Sequence, residues 1–157
     1  MRNEKDFFAL MNVKQTAKFG ALQTINVTVN RAVMDKTDIY TDIERIAKLA
    51  GGGVKRYSVV GSEKPFPHGS IDMFFENEVL ARYVYTQTPT EAFVDWRLYL
   101  TGAEVHLREG SGVIESKKAV PEAEIDKESV DDYETEIVSA LSAVDIQTIK
   151  NVVKETF

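Results

Sequence analysis

Between residues 71 and 117 the chain reads as five short β-type stretches, 71–75, 79–86, 92–100, 103–109 and 113–117. Glu76-Asn77-Glu78, Pro89-Thr90, Thr101-Gly102 and Gly110-Ser111-Gly112 break them apart. Connections this short join antiparallel neighbours, because a parallel crossover takes a dozen residues or more. The hairpin about Thr101-Gly102 is the best specified. Val94, Trp96, Leu98 and Leu100 alternate with Asp95, Arg97 and Tyr99, and after the turn Ala103, Val105 and Leu107 alternate with Glu104, His106 and Arg108. Successive side chains of a strand point to opposite faces, so both strands carry one apolar and one polar face. A two-residue turn then pairs Tyr99 with Glu104, Arg97 with His106 and Asp95 with Arg108. That register predicts an Asp95–Arg108 ion pair and a guanidinium beside His106 that discourages its protonation.

Upstream, residues 23–31 give the clearest single strand: Ile25, Val27 and Val29 alternate with uncharged polar residues. Residues 55–60 read as a further short strand, and 61–69, with Pro65, Pro67 and His68, as a loop. A short central helix is predicted over 42–50. Thr41 and Glu44 fit a capping box, Ile43, Ile46, Ala47 and Ala50 mark its apolar side, and Gly51-Gly52-Gly53 stops it. Ser129 is placed to cap a long amphipathic C-terminal helix, with Val130, Tyr133, Ile137, Leu141, Val144, Thr148 and Val152 at helical spacing and Lys150 and Lys154 near its end. The expectation is an α+β fold: a twisted, mainly antiparallel sheet with a short central helix and a long C-terminal amphipathic helix packed on it. Residues 1–19 read as an N-terminal arm or short helix, 20–119 as the sheet body, and 120–157 as an acidic linker and C-terminal helix of the same domain. At 157 residues, with 43% apolar content, one core suffices.

Composition excludes several chemistries. The absence of cysteine removes disulfide frameworks, thiolate metal sites and thiol nucleophiles. Two histidines cannot make a three-histidine metal centre, and neither a metal nor a cofactor is expected. No glycine-rich phosphate loop, dinucleotide fingerprint, paired-histidine zinc helix, serine elbow or calcium loop is present. The net charge of −6 is concentrated at the C-terminal end, where Glu122 to Glu136 holds eight carboxylates against Lys127 alone. Nucleic acid is therefore disfavoured as a partner, and a basic protein is the complementary one. No apolar run reaches membrane-spanning length and the N-terminus mixes both charge signs, so the chain is expected to be cytoplasmic or otherwise intracellular, a virion component included.

Three groups of residues stand as functional candidates. His68 on its loop, with Asp72 as orienting group, could act as a general base. Asp95, Arg97, Tyr99, Glu104, His106 and Arg108 form a polar array able to hold a ligand or partner, with His106 and Asp95 as further catalytic candidates. On 79–86, Tyr83 and Tyr85 share one face while Leu80 and Val84 share the other, and a strand apolar on both sides needs cover on both. One short helix cannot supply it, which makes Leu80, Tyr83, Val84 and Tyr85 an expected interface. The function expected from these features is a non-enzymatic interaction or assembly protein, a small accessory or viral or mobile-element component acting as a homo-oligomer or by binding another protein. The alternative is a small enzyme or ligand-binding domain with a pocket about Asp95, Arg97, Tyr99 and His106. The alternation makes one firm energetic statement: Trp96 faces the core with Leu98 and Val105. Trp96→Ala should cost about 3–5 kcal/mol in chemical denaturation, since it removes a large buried ring and leaves a cavity; a loss under about 1 kcal/mol would place the ring on the solvent face.

Overall fold

The computed structural model of the chain describes residues 4–33, 35–118, 125–132 and 143–156. Helix α1 (Glu4–Gln15) leads through a 3-10 turn (Ala17–Phe19) into β1 (Leu22–Asn30). Helix α2 (Lys36–Ala50) follows, then β2 (Val54–Ser62), β3 (His68–Phe75), β4 (Leu80–Thr86), β5 (Phe93–Leu100), β6 (Ala103–Arg108) and β7 (Val113–Lys118). Strand β8 (Ile125–Ser129), a 3-10 turn (Val130–Asp132) and α3 (Ala143–Thr156) complete the described chain.

The eight strands form one sheet in the order β2-β3-β4-β1-β5-β6-β7-β8. The expected fold class needs correcting in three respects. The sheet is mixed, because β1 lies between β4 and β5 and runs parallel to β4, with Ile25 opposite Ala81 and Val29 opposite Tyr85. The route from β1 through α2, β2 and β3 to β4 supplies the long crossover that a parallel pair requires. The central helix is not short: it begins at Lys36, where the Asp35 carboxylate accepts from the Thr37 N–H at 2.9 Å. Thr41 lies inside that helix, its hydroxyl donating to the Thr37 carbonyl at 3.0 Å, so the capping box does not form. The long C-terminal helix expected from Ser129 is not seen either. Ser129 ends β8 and its hydroxyl accepts from the Asp131 N–H at 3.2 Å, while α3 starts at Ala143. Tyr133, Ile137 and Leu141 of the expected helix, like residues 120–124 of the expected linker, lie outside the described residues.

The acidic segment contributes a strand because an edge position tolerates charge. Lys127 of β8 meets Glu115 of β7 at 3.7 Å and Glu128 meets Lys18 at 3.3 Å, so its charges are matched locally. The helix stop at Gly51 is as read: it takes φ 74 and its N–H reaches the Ala47 carbonyl. The hairpin between β5 and β6 also has the two-residue register, with Asp95 opposite Arg108 and Arg97 opposite His106.

All three helices help cover one face of the sheet. Ile25, Val27 and Val29 of β1, Tyr83 of β4, Trp96 and Leu98 of β5 and Val105 of β6 are each at most 1% exposed. They pack with Leu10 and Val13 of α1, Ile39, Ile43, Ile46 and Leu49 of α2, and Ile149 and Val153 of α3. Tyr83 and Tyr85 therefore point into this core, which removes them from the expected interface; only Leu80, 52% exposed, and the half-buried Val84 lie on the open side. Among the described residues no helix is long and apolar enough to cross a membrane.

Helix α1 is fixed through a polar junction. The buried Asp6 carboxylate accepts from the Gly110 N–H at 2.9 Å through Oδ2, while its Oδ1 has no hydrogen-bond partner among the described residues. Beside it, Glu109 accepts from the Trp96 indole at 3.0 Å and lies 3.6 Å from Arg45, whose guanidinium covers the Phe7 ring. Burial raises the Asp6 carboxyl above its ordinary value, with Glu109 and Asp131 adding to the rise and Gly110 and Arg45 opposing it. The folded state thus holds this proton more tightly than the unfolded chain, whose aspartates titrate near about 3.9. Stability must fall as pH rises from there through the folded value, and the penalty persists at neutral pH. Asp6→Asn keeps an acceptor for Gly110 without the charge. Relative to the parent it should gain stability between pH 4 and pH 7 in denaturant titrations; a variant that loses ground over that interval would contradict the assignment.

Candidate functional site

Among the described residues β1 and β4 are the one parallel pair, and both end on the same side of the sheet, at Asn30 and Thr86, where α2 also begins. In open sheets with parallel strands, ligands favour the crevice outside the carboxyl ends. Asn30 is 2% exposed and organises that rim. Its amide nitrogen donates to the Thr90 hydroxyl at 3.0 Å and the Glu91 carbonyl at 2.8 Å. Its carbonyl oxygen accepts from the hydroxyls of Thr86 at 2.9 Å and Thr88 at 2.8 Å. The loop after β4 is thereby held to the end of β1, and the Arg31 N–H adds a bond to the Thr86 carbonyl at 3.1 Å.

Immediately beside this knot lies a buried ionic chain. Asp42 of α2 is fully buried, and its Oδ2 accepts from the Tyr83 hydroxyl at 2.6 Å. The Arg31 guanidinium lies 3.7 Å from the same oxygen and 3.9 Å from Asp38 Oδ2. Burial, then the Asp42 charge, raises the Tyr83 phenol well above its usual range, so it keeps its proton and acts as a donor. The chain of groups runs from the core outward: Tyr83 and Asp42 are closed off, Arg31 is largely buried, and Asp38 is the more open group at the start of α2.

The residues singled out from sequence are distributed differently. His68 is the first residue of β3, not part of a loop, and its Nδ1 lies 2.7 Å from the Phe66 carbonyl. Asp72 pairs with Arg82 at 2.9 Å, so it does not orient His68. Asp95, Arg97, Tyr99, Glu104, His106 and Arg108 do come together on the open face, half-buried or exposed. Asp95 accepts two bonds from Arg108, each 2.8 Å, which hold its carboxyl below the ordinary range. Arg97 turns to Glu104 at 3.1 Å, and His106 sits instead between Asp95 at 3.4 Å and Glu115 at 3.9 Å. The expected Arg97–His106 juxtaposition is thus relieved by Glu104 and Asp95 on the diagonals and by Glu115 directly opposite His106 on β7. Neither described cavity is lined by this array. Among the described residues no group of three or more His, Asp or Glu side chains could hold a metal ion.

No protein-family model matches the sequence, and no curated protein matches it. The fold, however, is shared with solved oxidoreductases. The chain is similar to a dehydrogenase from Chromobacterium violaceum with TM-score 0.67 and 12% identity, covering 98% of this chain and 49% of that one. It is similar to UDP-N-acetylglucosamine 3-dehydrogenase from Acidithiobacillus ferrooxidans with TM-score 0.61 and 15% identity, covering 96% and 50%. A levoglucosan dehydrogenase in complex with NADH and levoglucosan gives TM-score 0.64 and 9% identity, covering 94% and 52%. The chain therefore spans about half the length of the structures it matches. The expectation of a non-enzymatic, homo-oligomeric assembly component is corrected accordingly: the fold is one that dehydrogenases contain.

Asn30, Arg31 and Asp42 were not singled out from sequence, and Tyr83 was read there as an interface residue rather than as a buried donor to Asp42. A polar residue ending an apolar strand, Asn30 after Val29, and a carboxylate within an apolar helix stripe, Asp42 beside Ile43, are the signals that could have found them. Tyr83→Phe removes the 2.6 Å bond to Asp42 and should cost about 1–3 kcal/mol in chemical denaturation. Combined with Asp42→Asn the losses should be non-additive by more than about 0.5 kcal/mol, whereas additive losses would mean that the two groups are not coupled.

Proposed function

We propose that this chain is the substrate-holding half of an oxidoreductase, and that it holds a hydroxylated small molecule at the rim formed by Arg31, Asp38 and the 86–91 loop. The observation that carries this reading is the extent of the similarity. Nearly the whole chain matches, yet it accounts for only half of each dehydrogenase. A chain of that extent has room for one of the two tasks, holding substrate or holding a redox cofactor.

The residues present do not fit a dinucleotide. The sequence has no glycine-rich fingerprint, and the N-terminus of α2, where a pyrophosphate would sit, is occupied by the Asp35 cap and followed by Asp38. Both carboxylates would repel it. A neutral polyol meets no such penalty. Arg31 can donate to a ligand hydroxyl and Asp38 can accept from one, while Asp42 and Tyr83 fix the guanidinium from beneath. On this reading the nucleotide is carried by the other half of the enzyme, and this chain contributes recognition and orientation of the substrate.

The division is tested by 15N NMR titration of the folded chain with levoglucosan and, separately, with NADH. The sugar should shift the amides of 31–38 and 86–91 saturably at millimolar concentration, and Asp38→Asn should weaken that response several-fold, whereas NADH should leave the spectrum unchanged. Saturable NADH binding, or a sugar response insensitive to Asp38→Asn, would overturn the proposal.

A further inference from the structure

The open face of the sheet carries a groove of about 510 Å³, sharing no residue with the rim just described, where β2, β3, β4 and β1 pass side by side. Its volume lies in the range of small-molecule sites. Across most of this face charges are matched in pairs: Asp95 with Arg108, Arg97 with Glu104, Glu115 with Lys127. Within the groove Arg82 is likewise matched by Asp72 at 2.9 Å. Arg56 is different. Among the described residues no carboxylate lies within ion-pair distance of it, and its guanidinium lies 4.9 Å from the centre of the Phe74 ring.

The backbone adds a second observation. In the ladder between β2 and β3, Val54 pairs with Phe75 and Arg56 with Phe74, so Lys55 is an extra residue that no partner opposes. Consecutive residues of a regular strand face opposite ways; a bulge breaks that rule and re-aims side chains. Here Lys55 Nζ also comes to 5.9 Å from the Phe74 ring. Two adjacent cations thus come close to one aromatic ring beside the exposed Leu80, Arg56 lining the groove and Lys55 outside its lining, and the carboxylate at hand, Asp72, is engaged by Arg82.

We propose that this groove binds a small organic anion, an oxyanion carried on an apolar ring or short chain. Arg56 takes the oxyanion through its planar fork of donors with Lys55 as a second charge, and Phe74 and Leu80 receive the apolar body. The Asn26 amide and Ser58 hydroxyl, in the neighbouring cross-strand row, face the same space. The site is independent of the sugar-holding rim, and neither proposal requires the other.

The test is an NMR titration of the full chain with benzoate, phenyl phosphate, inorganic phosphate and benzyl alcohol. Benzoate and phenyl phosphate should saturate with amide shifts confined to residues 54–58 and 72–82, the tighter of the two naming the preferred oxyanion. Inorganic phosphate and benzyl alcohol, each lacking half of the recognised chemistry, should bind at least several-fold more weakly. Arg56→Ala should raise Kd about tenfold, Arg56→Lys less, and Arg97→Ala, on the same face outside the groove, under about twofold. Dispersed spectra of the variants confirm folding. Equal binding of benzyl alcohol and benzoate would overturn the proposal, as would an Arg97→Ala effect as large as that of Arg56→Ala.

Discussion

The register of β1 between β4 and β5 decides which side of the whole sheet turns toward the helices. Ile25, Val27 and Val29 point inward and Thr24, Asn26 and Thr28 outward. Hydrogen bonding to strands on both sides carries that choice to Tyr83 and Tyr85 in one direction and to Trp96 and Leu98 in the other. A slip of one residue would put three branched apolar side chains in water and three polar ones under α2. At about 1.5–3 kcal/mol for each large side chain, no local adjustment could compensate such an exchange.

From this single alternation follow two chemically distinct surfaces. On the covered side Tyr83 is spent on Asp42, and Glu109 on Trp96 and Arg45, while Asn30, outward by the same alternation, is saturated at the rim by three threonines and a carbonyl. Close packing makes equal demands. A side chain at Gly69 would meet the Val60 carbonyl at 2.5 Å and the Tyr85 hydroxyl at 2.6 Å, so glycine is what lets β2, β3 and the Tyr85 ring approach. On the open side, charge is mostly balanced pair by pair and contributes little to stability, because exposed ion pairs are worth about 0–1 kcal/mol. That makes Arg56 and Lys55, turned together by a bulge and without matched carboxylates among the described residues, the departure from the pattern.

The strands and the hairpin register were legible because period-two alternation is a direct record of which atoms meet water, as at 94–100 and 103–107. What pairs with β1 was not. A meander places neighbours by loop length, but the insertion of β1 beside β4 is a long-range contact between residues about 55 positions apart, for which local pattern carries no signal. The start of α2 was misplaced for a different reason. Thr41 and Glu44 satisfy a capping pattern that Asp35 also satisfies six residues earlier, and Ile39, buried at 1%, extends the apolar stripe to the earlier start. Strand β8 was hidden by its charge, since Asp126, Lys127 and Glu128 read as linker until the ladder with β7 supplies their partners. The polar residues of the rim were lost within apolar elements, where a single Asn or Asp looks like a surface position until burial shows otherwise.

The account rests on a sheet with one closed and one open face, and hydroxyl-radical footprinting reads that division residue by residue. Tyr83, Tyr85 and Trp96 should be protected to the level of Phe75, while Leu80, Phe74 and Tyr99 should be modified at rates approaching that of Tyr57 on the edge strand. Modification of Tyr83 or Trp96 as fast as Tyr57 in the folded chain would contradict it, and with it the placement of both proposed sites.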